Sequence, residues 1–426
     1  MRVKKDADIE DGQMTVVVPK RVLHVMNTSE GGAARSTVQL IEKLNELGIA
    51  SCAVCHVPGT DVTRQEILDA TKGRAQFFPL YWWNIKNRAK RWKRPLIELR
   101  QGFKTGASLR SSARTAQLAR EWGVDLIHTN SVLVCEGAYA ARMLRLPHVW
   151  HVRELLAPYN YFRLPLAGEA FLRFLEDHAS VVVANSEVTA STIGYPFRLD
   201  AERLRVVPNG IDETLFSSSK TGAKGDVVIG MVANLTSVGK RHDLFIDMAS
   251  HLMEDPRLTF HIYGDDPSNN GQTSGGAYAD SLNAQIDQLG LRDRLVLKGY
   301  VPHAATIMKG IDILVHPFAR ESFGRIVIEA MAAGCAVVGP RGGGVGEIVD
   351  HGRTGLLVND EDAAALADAV RQLVANPKLR ENMGLAGRRE VCAKYTLNTH
   401  AQKMVATYSE AMMRPLAWRG TMVRHT

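Results

Sequence analysis

The segment Glu321–Gly334 reads ESFGRIVIEAMAAG and follows ILVHP, residues Ile313–Pro317. A short apolar run closed by proline predicts a buried strand, and RIVIEAMAA after a glycine predicts a helix. Glu321 then falls in the loop leaving the C-terminal end of a strand, where open α/β sheets bind ligands. Ser322–Phe323–Gly324 opens the helix, whose unpaired N–H groups and positive dipole end favour a phosphate. Glu329 lies roughly 7 to 9 Å along that helix at about 1.5 Å per residue. Two carboxylates separated by seven residues thus face one cleft. Taken alone, the same residues also fit a plain helix start, with Glu321 offsetting the dipole and Glu329 in solvent.

Outward from this segment the chain repeats the strand-then-helix unit, the pattern of a parallel sheet covered on both faces. Arg21–Met26 (RVLHVM) predicts a first strand and NTSEGG a turn. A helix follows from about Ala33 to Leu47, with Val38, Leu40, Ile41, Leu44 and Leu47 as its apolar stripe. Ala50–Val57, Val124–His128, His148–His151 and Val181–Ala184 fit further strands. A second series comprises Val227–Ala233, Leu258–Tyr263, Arg294–Leu297, Ile311–Val315 and Ala336–Val338. A chain of 426 residues exceeds one ordinary core, so two domains are expected. The polar stretch Phe216–Gly225 (FSSSKTGAKG) suits the linker, giving domains over 1–215 and 216–396. A final helix, about 397–413, is expected to return to the first domain. Asp265–Gly276 reads as a polar loop, and Arg110–Arg120 as part of a long helical region.

With 45% hydrophobic and 23% charged residues, the composition excludes disordered and fibrous classes. No apolar run reaches about 18 residues, so no membrane-spanning helix is expected. MRVKKDADIEDGQM lacks the apolar core of a secretory signal and reads as a disordered lead-in. Cys52 and Cys55 form the one CxxC, but in a strand residues three apart point to opposite faces. Buried thiols in a reducing cytoplasm are therefore expected, and not a metal or redox pair. The net charge of +7 is concentrated: ten basic residues and one acid lie between Lys72 and Lys104.

The ESFGRIVIEAMAAG segment resembles the signature of the retaining glycosyltransferase family 4, a GT-B family in which two Glu are separated by seven residues. The resemblance continues through Ala336–Val338, Gly342–Gly344, Glu347 and HGRTGLLV (His351–Val358). Upstream it takes in VANLTSVGKRHDLFIDMA (Val232–Ala249), HIYGDDP (His261–Pro267) and KGYV (Lys298–Val301). In the first domain EGGAARSTVQL (Glu30–Leu40), DLIHTNS (Asp125–Ser131), VVANSE (Val182–Glu187) and VVPNGID (Val206–Asp212) match in order. The implied fold is GT-B: two Rossmann-like α/β domains facing each other across a cleft.

The implied function is transfer of a sugar, with retention, from a UDP- or GDP-sugar to an acceptor hydroxyl in polysaccharide, glycolipid or related glycan synthesis. Lys240 resembles the family's lysine at the donor diphosphate, where an ammonium offsets charge on the leaving phosphate without a metal. The Arg often found six residues earlier is Asn234 here, which implies either weaker phosphate stabilisation or compensation by Arg241 or Arg325. Glu321 is implied near the donor sugar and Glu329 at the ribose hydroxyls. Gly31 and Gly32 are implied to let the first-domain loop approach the diphosphate. Gly264, Val301, Ser322, Phe323 and Gly324 complete the implied donor site, with base recognition by backbone around Lys298–Val301. His151, in VWHVRE, occupies the family's active-site histidine position at a strand end facing the cleft. The mechanism favoured is front-face displacement, with no cofactor and no metal, including at GDDP.

Two other readings fit parts of the chain. A nucleotide-sugar epimerase shares the architecture, but Lys240, Glu321 and Glu329 together favour transfer. A non-catalytic sugar-nucleotide-binding relative is suggested by Asn234 alone. The acceptor class is a glycan, a lipid-linked sugar or a small molecule. Phe77–Lys104 places Trp82, Trp83 and Trp92 among Lys86, Arg88, Lys90, Arg91, Lys93 and Arg94. That composition suits an anionic membrane surface or a phosphate-rich acceptor, and equally a solvated loop whose tryptophans cover the sheet. No nucleic-acid motif accompanies it. The expected location is cytoplasmic, either free or peripheral at the inner face of the membrane.

Overall fold

Among the described residues fifteen strands form, the central ones where β-branched and apolar runs are buried on both faces. They are β1 (Arg21–Met26), β2 (Ala50–Cys55), β3 (Ala75–Phe77), β4 (Ile85–Lys86), β5 (Leu126–Asn130), β6 (His148–Val152), β7 (Phe162–Arg163) and β8 (Val181–Ala184), with β9 (Leu204–Val206), β10 (Val227–Val232), β11 (Leu258–Tyr263), β12 (Leu295–Gly299), β13 (Ile313–Val315), β14 (Ala336–Pro340) and β15 (Gly355–Val358). This computed structural model describes residues 17–28, 31–57, 60–83, 85–86, 94–156, 158, 162–216, 225–235, 238–264, 273–359, 362–414 and 416. The lead-in at 1–14 and the acids of GDDP lie outside them.

Two parallel sheets result, ordered β3-β2-β1-β5-β6-β8-β9 and β12-β11-β10-β13-β14-β15, with a small antiparallel ribbon of β4 and β7. In each sheet the strand order reverses beside a central strand: next to β1 in the first and β10 in the second. At such a switch point the crossover connections leave to opposite faces and open a crevice at the strand C-termini. The loops after β1, β10 and β13 lead to Gly31, Lys240 and Glu321.

The chain passes between the sheets twice, and the two passages pair. Ile211 N–H donates to the Tyr395 carbonyl at 3.0 Å, and Leu397 N–H donates to the Ile211 carbonyl at 2.7 Å. Gly210 makes this possible, since a Cβ there would lie 2.5 Å from the Thr396 carbonyl oxygen. Thr396 then caps helix Leu397–Met413. That helix buries Ala401, Met404, Tyr408 and Ala411 against Val22, Leu40, Leu126 and Val149 of the first sheet's unit. A chain end thus returns to cover apolar surface that its own domain leaves open.

Several elements differ from the sequence reading. β3, β9 and β15 are short strands that the pattern did not single out. Thr273–Gly276, read as polar loop, belongs to helix Thr273–Gln288. Arg110–Arg120 sits within helix Arg94–Glu121, whose Ala116 and Ala119 pack with Leu23, Val25 and Val134. Cys52 and Cys55 fall in different core clusters, on opposite faces of β2. Burial raises both thiols, Cys52 to about 11. Among the described residues no helix is long and apolar enough to cross a membrane.

Candidate active site between the two sheets

Lys240 ends the 3-10 turn Val238–Lys240 after β10, and Glu321 follows β13. Lys240 Nζ donates to Glu321 Oε2 at 2.7 Å and lies 4.9 Å from the Phe318 ring centre. Both groups keep partial exposure, 36% and 19% of the side chain, so the pair opens to the cleft. His316 Nε2 stands 3.6 Å from the same carboxylate oxygen. Burial, the largest single influence, acts to raise the Glu321 carboxyl, but Lys240, His316 and the Ser322 N–H together outweigh it and the net shift is downward. Burial pushes His316 down to about 4, so its ring is neutral near pH 7 and Lys240 supplies the cation.

Phe323 is buried against Tyr395, and Gly324 takes φ +96° as the N-cap of helix Arg325–Ala332. The helix therefore begins at Arg325, with Ser322 and Phe323 ahead of it. Arg325 donates through Nε to Glu329 Oε1 at 2.8 Å, one turn along. Its other two nitrogens cross to the first domain, to Ser36 Oγ and Gln39 Oε1, each at 2.7 Å. Glu329 is 5% exposed. Gly31 begins helix Gly31–Glu46 at φ +79°, and a Cβ on Gly32 would lie 3.9 Å from Arg325 Cδ. The glycine turn of the first domain thus sits beside Arg325. Arg35 adds a further tie across the cleft, donating to the Pro302 carbonyl at 2.7 Å, next to Val301.

Of the two arginines expected to compensate for Asn234, Arg325 is directed toward Glu329 and the glycine turn. Arg241, in the left-handed region at φ 60°, turns to Asp243 at 3.2 Å. Asn234 is exposed at the end of β10. Gly264 is needed for packing: a Cβ there would lie 1.9 Å from the Ala233 carbonyl oxygen.

His151 departs from expectation. It is fully buried, stacked on His128 at 5.5 Å, and neither ring nitrogen has a hydrogen-bond partner. His128 Nδ1 pairs with the Tyr408 hydroxyl at 2.8 Å, so these rings belong to the layer beneath helix Leu397–Met413. Strand alternation explains the difference: Trp150 and Val152 face one core, which sends His151 to the other face and not out along the strand. At the cleft end of β6 stands Arg153, buried, donating to Asn209 Oδ1 at 2.6 Å and Asn130 Oδ1 at 3.1 Å. Burial lowers it to about 10, so it remains a cation.

The sequence reading did not single out His316, Ser36, Gln39 or Arg153 as functional residues. Ser36 and Gln39 lie four and seven residues after Gly32, one polar stripe on a helix face, and that periodicity was the available signal. Trp83, from the basic aromatic segment, packs among Trp150, Phe171 and Phe174 and donates to the Val132 carbonyl at 2.6 Å. Trp92 and the cations from Lys86 to Arg94 have side chains outside the described residues. Among the described residues, no three His, Cys, Asp or Glu side chains converge as metal ligands.

Two parallel-sheet Rossmann-like domains meeting at their switch points define a GT-B-type fold. Residues 30–215 match Glycosyltransferase Family 4, and residues 213–390 match Glycosyl transferases group 1. The chain belongs to this family of group 1, family 4-type glycosyltransferases. It is 27% identical over 280 residues to a D-inositol 3-phosphate glycosyltransferase of Paenarthrobacter aurescens, covering 63% of each chain. A lipopolysaccharide core biosynthesis mannosyltransferase, LpcC of Rhizobium leguminosarum bv. viciae, is 27% identical over 252 residues, 57% of this chain and 68% of that protein. Among solved structures, HepE of Anabaena in complex with UDP and glucose superposes with a TM-score of 0.73 at 22% identity. That superposition covers 91% of this chain and 99% of HepE. A glycosyltransferase of Rickettsia africae gives a TM-score of 0.73 at 19% identity, covering 92% and 98%. At these identities the superpositions establish the fold.

Proposed function

We propose that the protein is a retaining glycosyltransferase that moves a sugar from a UDP- or GDP-sugar to an acceptor hydroxyl in polysaccharide, glycolipid or related glycan biosynthesis. One observation carries this reading: Lys240–Glu321 and Arg325–Glu329 form two charge pairs, drawn from separate loops, at one interdomain cleft. Beside them lies a helix N-terminus, Arg325–Ala332, able to take a phosphate. Sugar-transferring relatives and the UDP held by HepE support the same class of donor.

In this mechanism the donor diphosphate lies between the glycine turn at Gly31–Gly32 and the N–H groups opening helix Arg325–Ala332. Lys240 stands at the leaving phosphate and stabilises the charge released as the glycosidic bond breaks. Glu321, held by Lys240, orients sugar hydroxyls, and Glu329 accepts from the ribose. The leaving phosphate takes the acceptor's proton on the face from which it departs, so no glycosyl–Glu321 adduct forms. No metal is required in this scheme. The acceptor approaches over the loops of the first domain.

Calorimetric titration with UDP, GDP, ADP and CMP tests the site. One nucleotide is expected to bind at micromolar strength and to weaken in Glu329→Ala. Absence of binding by all four would overturn the donor-site assignment, and a trapped glycosyl–Glu321 adduct would overturn front-face displacement.

A further inference from the structure

The loop that carries Glu321 is gripped from two sides. From its own domain, the short helix Gly343–Ile348 holds it: Gly344 N–H donates to the Glu321 carbonyl at 2.8 Å. The approach is close enough that a Cβ on Gly344 would lie 2.5 Å from Phe323 Cα. From the other domain, the start of helix Glu187–Thr192 holds it. Ser186 Oγ donates to the Ser322 carbonyl at 2.5 Å, and Thr189 Oγ1 donates to the same oxygen at 3.2 Å. Glu347, on the glycine helix, then reaches back across the boundary. Its Oε2 accepts from Glu187 N–H at 2.9 Å and its Oε1 from Val188 N–H at 2.5 Å.

We infer that Ser186, Thr189 and Glu347 form an interdomain clasp that positions the donor loop, so that Ser322–Phe323 reaches its working orientation only when the domains are docked. A trans peptide is planar, so fixing the Ser322 carbonyl toward the first domain fixes the Phe323 N–H pointing away from it. That orientation also sets the turn through Gly324 into helix Arg325–Ala332. Opening the domains removes both hydroxyl donors from the Ser322 carbonyl and strips the Glu347 carboxylate of both N–H partners. One motion thereby releases the loop and leaves the carboxylate without either partner. These contacts run one way: the first domain supplies the four donors and the second domain the acceptors, with Gly344 and Glu347 one turn apart on the same helix.

This inference rests on the proposed donor site, but its first test needs no ligand. Spin labels at Glu46→Cys and Lys378→Cys, in a Cys392→Ser background, report the interdomain distance in the full chain. Glu347→Ala and the pair Ser186→Ala/Thr189→Val are expected to give a longer, broader distance distribution than the parent. Glu347→Gln, which keeps one acceptor oxygen but sets an NH2 against the other N–H, is expected to restore only part of the parent distribution. Calorimetry with UDP and GDP should then show affinity reduced by roughly tenfold in Glu347→Ala for whichever nucleotide the parent binds, the weight of a lost charge-assisted pair of hydrogen bonds. Unchanged distances in both the Glu347→Ala and the Ser186/Thr189 variants, with circular dichroism confirming folding, would overturn the clasp. Changed distances in a parent that binds neither nucleotide would uphold the clasp and overturn the donor-site reading instead.

Discussion

Lys240 Nζ and Glu321 Oε2 meet at 2.7 Å although 81 residues separate them, one following β10 and the other β13. The pair joins the strand at the switch point to its neighbour, and its partial exposure leaves both groups able to meet a ligand. Under the proposed function, Lys240 orders the carboxylate before a donor arrives and keeps its charge beside the leaving group.

Lys240→Ala is expected to lower turnover by roughly 10²- to 10³-fold, the usual cost of losing a cation or donor aimed at developing negative charge. Secondary structure should be unchanged, since the side chain is partly exposed. Lys240→Arg should recover part of the loss. Transfer assays with the nucleotide sugar identified by calorimetry check both.

The same pair predicts a pH effect. Glu321 has its carboxyl lowered below 4.5 in the folded protein, against the pull of burial. Its contribution to stability is therefore present above about pH 4.5 and lost as pH falls through the folded value. In Lys240→Met burial acts with much less opposition, so the Glu321 carboxyl should rise relative to the parent. Acid-side loss of stability attributable to Glu321 should then shrink, which denaturant midpoints between pH 3 and 6 would show.

Buried histidines predict a second, larger pH dependence. His24, His148 and His400 are lowered to about 3 and His316 to about 4, with His128 and His151 also lowered, all chiefly by burial. A lowered histidine stabilises fully above its unfolded value of 6.5, and stability declines as pH falls from there toward the folded value. Each contributes a slope of about 1.4 kcal/mol per pH unit in that window. Denaturant midpoints are expected to fall between pH 7 and 5, and His24→Asn should reduce the slope by about one proton.

Arg325→Ala should weaken nucleotide binding by about tenfold or more, because it removes the charge beside Glu329 and the ties to Ser36 and Gln39. Arg241→Ala, whose guanidinium faces Asp243, should change affinity by less than about twofold. Calorimetry on the two variants separates them.

Glycine substitutions should divide by geometry. Gly264→Ala drives a Cβ into the Ala233 backbone and is expected to cost about 2–4 kcal/mol. Gly31→Ala meets nothing within 4 Å and carries only the strain of its positive φ, about 1 kcal/mol. Denaturant titration of each variant measures the difference.

The sequence by itself determined the alternation of strands and helices, because burial on both faces of a parallel strand leaves an unbroken apolar run and a helix leaves its 3.6-residue stripe. It also determined that Glu321 would stand at a strand end before a helix N-terminus, since Gly324 and the run after it specify that turn locally. Partnership was another matter. Arg241 and Arg325 were equal choices by sequence, and only the docked domains showed that Arg325 ties to Ser36 and Gln39 while Arg241 pairs with Asp243. The sequence placed His151 at a strand end facing the cleft, but the pleat and the returning helix Leu397–Met413 buried it against His128. The clasp of Ser186, Thr189 and Glu347 joins residues more than 130 positions apart, through backbone groups whose directions no side-chain pattern records. Local periodicity fixes elements, whereas the meeting of two domains fixes which charges face each other.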